Sequence, residues 1–292
     1  MEPPTGSERT VIPAVVDRRF LDEHPDAVLA DVRWYLDGRS GRDAWLGGHL
    51  PGAVFVDLNT VLAGPATPEA GRHPLPEPEA FAEALAALGI ADSDTVVAYD
   101  DAGGASAGRL VWLLRNIGVD AALLDGGIGA WEGPLDTGET TRPAAAFAAR
   151  PWDAATLATI DDAATAFHVV DARAGARYRG ETEPVDPRAG HIPGAINIPF
   201  PGNLDADQRF LPPDVLRARF EEAGIIDASA VVVYCGSGVT ACHNLLALEH
   251  AGLGRARLYP GSWSQYAATT RPEATGAAPG ERPPADPDGV TR

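Results

Sequence analysis

A chain of 292 residues, 45% hydrophobic and 22% charged, holds apolar material for two cores of about 100–150 residues each. No run approaches the ~20 apolar residues of a membrane helix, and the opening MEPPTGSERTVIPAVVDRRF lacks the basic-then-apolar pattern of a secretory leader, so a cytoplasmic protein without a membrane partner is expected. The net charge of −18 argues against a nucleic-acid partner and requires any anion site to be locally positive.

Along the chain, short apolar runs alternate with helical periodicity. Val28–Val32 reads as a buried strand, Pro78–Leu88 as a helix, Thr95–Tyr99 as a strand and Ala107–Asn116 as a helix stopped by Gly118. A proline-bearing linker is expected over 136–153. Beyond it come the strand His168–Asp171, the helix Pro213–Ala223, the strand Val231–Tyr234 and the helix Thr240–His250, stopped by Gly252. This alternation predicts an α/β fold with parallel sheets flanked by helices.

The order of motifs occurs twice. Asp31-Val32-Arg33 is answered by Asp171-Ala172-Arg173, and His49-Leu50-Pro51-Gly52-Ala53 by His191-Ile192-Pro193-Gly194-Ala195. TVVAYDDAGG is answered by AVVVYCGSG, and LLDGGIGAW by LYPGSWSQY. A period this long indicates a duplicated domain. The expected layout is a tail (1–9), a first domain (10–135), the linker (136–153), a second domain (154–270) and a flexible tail rich in Pro, Gly and Asp (271–292). His49, His191, Asp31, Arg33, Asp171 and Arg173 occur in both copies, which favours structural roles for them.

Cysteine is scarce: the chain has only Cys235 and Cys242. Two thiols cannot make a disulfide framework or a zinc site, and no metal or cofactor is called for. Cys235 ends a predicted strand and opens the loop Cys235-Gly236-Ser237-Gly238-Val239-Thr240, after which a helix starts. Ligand sites in α/β sheets lie at such strand ends. Glycines and a helix start can turn several amides toward one anion. A thiolate there is expected to be more acidic than a free thiol, and a persulfide would be held the same way. The ordinary alternative for a free cysteine is a small buried hydrophobe. That reading suits Cys242, among the leucines of its helix.

These residues resemble the rhodanese family, and within it the two-domain thiosulfate and 3-mercaptopyruvate sulfurtransferases. The likeness covers residues 10–270 and rests on the paired H-[LI]-P-G-A motifs, the DGG and PGSW segments and the CGSGVTA loop. It implies two tandem rhodanese-like domains, a catalytic second one and a first one with Asp100 in place of the cysteine. It implies a ping-pong sulfurtransferase that takes sulfur from thiosulfate or 3-mercaptopyruvate onto Cys235. The sulfur would then pass to cyanide or to a thiol, either a small thiol or a thioredoxin-like protein. By the same likeness, Arg177 binds the small anionic donor, with Gly236, Gly238, Val239 and Thr240 forming the cradle. His73 would orient or deprotonate Ser237, with Asp57 fixing the His73 tautomer. The family's Glu-Pro-Arg triplet reads Glu183-Pro184-Val185 here, so Arg188 or Arg179 is expected to replace the missing arginine. The alternatives are a protein-to-protein sulfur relay with little small-molecule turnover and a phosphatase or arsenate reductase. The latter needs an arginine where Ala241 stands.

Overall fold

All four residues of Val96–Tyr99 and of Val231–Tyr234 are buried, the pattern of strands covered on both faces. Each is the centre of a sheet. The protein is described here from a computed structural model, for residues 12–282. The first unit runs β1 (Val15–Val16), α1 (Arg18–Glu23), β2 (Val28–Asp31), α2 (Gly41–Gly47), β3 (Val54–Phe55), α3 (Pro78–Ala87), β4 (Val96–Tyr99), α4 (Ala107–Asn116) and β5 (Ala121–Leu124). Its strands are all parallel, in the order β1-β5-β4-β2-β3.

The second unit repeats this plan. It runs α5 (Ile160–Thr165), β6 (His168–Asp171), α6 (Gly175–Tyr178), β7 (Ile196–Asn197), α7 (Pro213–Glu222), β8 (Val231–Tyr234), α8 (Thr240–His250), β9 (Arg257–Leu258) and α9 (Ser262–Tyr266). Its parallel order is β7-β6-β8-β9. Leu157 makes a parallel bridge to Leu258, in the place that β1 takes in the first sheet. The expected strands and long helices form within a residue of their predicted limits. The two-residue strands are too short for periodicity to reveal.

The duplicated motifs brace the strand ends. Arg33 pairs with Asp31 and donates to the Gly48 carbonyl at 2.6 Å, and Arg173 pairs with Asp171 and donates to Gly190 at 2.6 Å. The hydroxyl of Tyr99 accepts from the Leu50 amide and that of Tyr234 from the Ile192 amide. His49 and His191, both fully buried, hydrogen-bond backbone carbonyls of Trp45 and Tyr178.

The units meet through α4 and α8. The helices pass close at Gly108, where a Cβ would sit in ordinary van der Waals contact, 3.4 Å from the His243 backbone nitrogen. One apolar cluster runs through both units and includes Leu110 and Leu114 of α4 with Leu245 and Leu246 of α8. The tail expected to be flexible from 271 is, as far as Arg282, hydrogen-bonded to the second unit. Ala274 exchanges backbone bonds with His191, and Arg282 donates to the carbonyl of Phe167. Its prolines and glycines suit an extended strap that borrows donors and acceptors from the domain beneath. Residues 283–292 lie outside the described residues, as does the expected tail at 1–9.

Candidate active site

Strand β8 delivers Cys235 to its carboxyl end, where the chain must turn into α8. Gly238 makes that turn: its φ is +78°, and a Cβ would lie 2.6 Å from the Pro260 carbonyl oxygen. Any side chain would be strained there and would also collide. The turn brings the Gly238 amide 3.1 Å from Cys235 Sγ, as a donor to sulfur. The loop is pinned from behind by the 259–266 segment. Ser262 Oγ accepts from the Cys235 amide at 3.2 Å, while the Trp263 and Ser264 amides donate to the carbonyls of Cys235 and Gly236. Ser262 adopts φ +53°, a conformation that costs a non-glycine residue about 1 kcal/mol or more. It is held there by donating from Oγ to the Tyr259 carbonyl at 2.9 Å.

The first unit shows what such a loop does with an anion. Asp100 stands at the end of β4, 1% exposed, and its carboxylate accepts from four amides. Oδ1 takes Ala102 and Gly104, and Oδ2 takes Ser106 and Ala107, all at 2.8–2.9 Å. Burial pushes its pKa up against the pull of these amides. A carboxyl group is thus built into the first copy, whereas the second carries a sulfur at that place. Among the described residues, the Gly236, Ser237, Val239 and Thr240 amides have no protein acceptor. Sequence reading expected several amides on Cys235 in this state; one, from Gly238, reaches it.

Cys235 is 2% exposed and its neighbour Ser237 7%. Above Gly236 lie two guanidinium groups: a Cβ on that glycine would be 3.0 Å from Arg72 Nη2 and 3.2 Å from Arg177 Nη1. Arg177, on α6, is paired with Glu183 at 2.6 Å and with Asp186 at 3.1 Å. Arg72 comes from the first unit and also pairs with Asp186. Ser237 Oγ lies 2.7 Å from Nδ1 of His73, again from the first unit. Burial, reinforced by the charges of Arg109 and Arg72, lowers the His73 pKa to about 4. The imidazole is therefore neutral near pH 7 and a weak base. It is suited to orienting the Ser237 hydroxyl and ill suited to deprotonating it.

Three expected residues are elsewhere. Asp57 does not touch His73: its Oδ1 accepts from the Asn59 and Thr60 amides and from the Thr60 hydroxyl, capping the turn after β3. Arg188 is committed to the carbonyls of Tyr266, Ala267 and Arg271 and to Glu273, so it ties down the C-terminal strap. Arg179 pairs with Glu181 on the surface. The second cation at the loop is Arg72, adjacent to His73 in the motif RHPLP. Sequence reading also passed over Arg109. This fully buried arginine of α4 donates to the Gly238 carbonyl at 3.0 Å and to the His73 carbonyl at 3.2 Å. Cys242 is inert: its thiol donates to Gly238 at 3.3 Å, and burial pushes its pKa up to about 12.

The fold is a duplicated α/β one, with Cys235 on the strand-to-helix loop of the second unit and Asp100 at the matching place in the first. The rhodanese-like domain is matched twice, over residues 16–134 and 154–269. A protein of Pseudomonas aeruginosa, provisionally named a 3-mercaptopyruvate sulfurtransferase, is 45% identical over 269 residues, covering 86% of this chain and 93% of its own. SseB of Mycobacterium tuberculosis, provisionally named a thiosulfate sulfurtransferase, is 40% identical, covering 86% and 91%. Among solved structures, the 3-mercaptopyruvate sulfurtransferase SseA of Escherichia coli superposes with a TM-score of 0.75 at 32% identity, covering 86% of this chain and 99% of SseA. The chain belongs to the rhodanese family, as a two-domain sulfurtransferase.

Proposed function

We propose that this sulfurtransferase takes sulfur from 3-mercaptopyruvate, with thiosulfate as a second donor, and carries it on Cys235 to a thiol. The observation that supports this most directly is the surround of Cys235 Sγ: the Gly238 amide on the sulfur, two guanidiniums above the loop and the Ser237–His73 pair beside it. In the first half-reaction the Cys235 thiolate attacks the donor's terminal sulfur. A sulfur–sulfur bond forms, the donor's carbon–sulfur bond breaks, and its electron pair goes to the pyruvate enolate. The proton of the donor thiol, now on the persulfide, moves to the enolate carbon. Pyruvate leaves and Cys–S–S⁻ remains in the cradle. With thiosulfate the sulfur–sulfur bond of the donor breaks instead, and sulfite departs with the electron pair. In the second half-reaction a thiolate attacks the outer sulfur and Cys235 leaves as thiolate.

Arg177 supplies the charge that holds the donor carboxylate. Ser237, set by His73, is placed to donate to the carbonyl oxygen as enolate charge develops. Thiosulfate has no carbonyl, so it gains nothing from that hydroxyl. A side-by-side comparison of kcat/KM for the two donors tests the assignment. Ser237→Ala is expected to cost 3-mercaptopyruvate on the order of a hundredfold, the scale of one donor to a developing oxyanion, and to spare thiosulfate. Equal losses for both donors would refute the role given to Ser237 and the preference for 3-mercaptopyruvate. The same cradle suits a protein thiol as acceptor, including a thioredoxin-like partner.

A further inference from the structure

Arg72 and Arg177 reach the loop from different domains, and one carboxylate already lies between them. Asp186 is 3% exposed at its side chain, with Oδ1 on Arg72 Nη1 and Oδ2 on Arg177 Nη2. This is the two-oxygen, two-arginine contact that a donor carboxylate would seek at the same spot. Glu183 is held differently. It accepts from Arg173, from Arg177 and from the amides of Val185 and Asp186, so it belongs to the framework. Among the described residues the Asp186 side chain is hydrogen-bonded only to the two arginines, and its neighbours Val185 and Pro187 are exposed. Burial pushes the Asp186 pKa up, whereas Arg177 and the backbone amides hold that of Glu183 down in spite of burial. Of the two carboxylates, Asp186 is the less firmly held.

Arg72 is positioned for more than an ion pair. Its backbone amide is fixed by Ser264 Oγ at 3.1 Å, the residue whose own amide pins Gly236. Its side chain, 29% exposed, borders a cavity of about 600 Å³ with His73, Asn59 and Ala63.

We propose that Asp186 sets donor specificity: held between Arg72 and Arg177, it is an internal counter-anion which the donor's anionic group must displace. This rests on the reading of the protein as a sulfurtransferase with an anionic donor. A monoanionic carboxylate replaces Asp186 one for one. A dianion such as thiosulfate brings an extra charge toward Glu183 and the displaced Asp186, so Asp186 disfavours it more.

Steady-state kinetics with both donors on the full-length wild type, Arg72→Gln, Asp186→Asn and the double variant test this. Asp186→Asn is expected to lower KM for thiosulfate by roughly tenfold, the scale of one charge-assisted contact, and to lower that for 3-mercaptopyruvate less. Arg72→Gln raises KM for both with kcat little changed. In the Arg72→Gln background the benefit of Asp186→Asn shrinks, because it acts through Arg72. Unchanged KM values in both single variants, or equal effects of Asp186→Asn with and without Arg72, overturn the proposal. Should Asp186→Asn not fold, Asp186→Ser decides it. A KM that falls more for thiosulfate than for 3-mercaptopyruvate supports the role, and wild-type KM for both donors defeats it. Wild-type protein that gains no sulfur from either donor sinks the sulfurtransferase reading as well. Sulfur uptake with unmoved KM values sinks this proposal alone.

Discussion

Cys235 was legible in the sequence because its chemistry is local: a strand end, two glycines and a helix start within a few residues. Its partners were legible only as far as local chemistry reaches. Arg72 and Arg109 come from the first domain and were missed, His73 was reached only through the family resemblance, and Asp57 shows how a plausible motif residue can be spent on its own turn, capping Thr60. Nothing local separates Asp57 from His73 in importance; that takes the fold. His73 itself leads to a pH test. Its folded pKa of about 4 lies below the ordinary 6.5. Above pH 6.5 both states carry it neutral and it adds no pH dependence. Between 6.5 and 4 the unfolded chain takes up a proton that the folded chain refuses, so stability is lost as pH falls through that window and levels off below it. His243, buried and lowered to about 3, acts in the same direction. Urea midpoints measured from pH 7 to pH 4.5 should therefore fall, and His73→Gln should flatten the fall by about one proton's worth. Identical profiles for wild type and variant would contradict the buried, neutral state of this histidine.

At the scale of elements, the helices and central strands could be read from the sequence because burial on both faces leaves continuous apolar runs and helix faces leave period. The packing of α4 on α8 could not, since Gly108 and Arg109 look alike whether a helix faces solvent or another domain. Arg109 is the element-level link between the halves of the site. It is wholly buried, and its donors go to carbonyls of Leu62, His73 and Pro74 in the first unit and Gly238 in the second. Arg109→Met keeps most of the volume but leaves those acceptors without their cation. Stability should drop by about 2–3 kcal/mol, the cost of buried acceptors left unsatisfied, read as a lower urea midpoint. Turnover should fall as well, because the Gly238 turn and the His73 loop lose their common anchor. An unchanged midpoint would show that the bridge carries no stabilisation.

For the whole molecule, duplication left one copy of the cradle filled by its own carboxylate, Asp100, and one with a sulfur. The repeat was visible in the motif order. The first domain's contribution was visible only in part: the resemblance brought His73 to Ser237, whereas Arg72 and Arg109, which also reach the loop of the second domain across an interface of apolar residues from both, were missed. The strap through Arg282, covering the face marked by His191 and Gly194, was also hidden, because its composition resembles that of unstructured chain. All of this serves the claim that a single thiol holds the sulfur in transit. Intact-mass measurement after brief exposure to donor, followed by gel filtration, addresses that claim directly. The wild type and Cys242→Ser should each gain about 32 Da, one sulfur atom on a single nucleophile, and lose it on addition of a thiol. Cys235→Ser should gain nothing, and a gain that persists in Cys235→Ser would contradict the account.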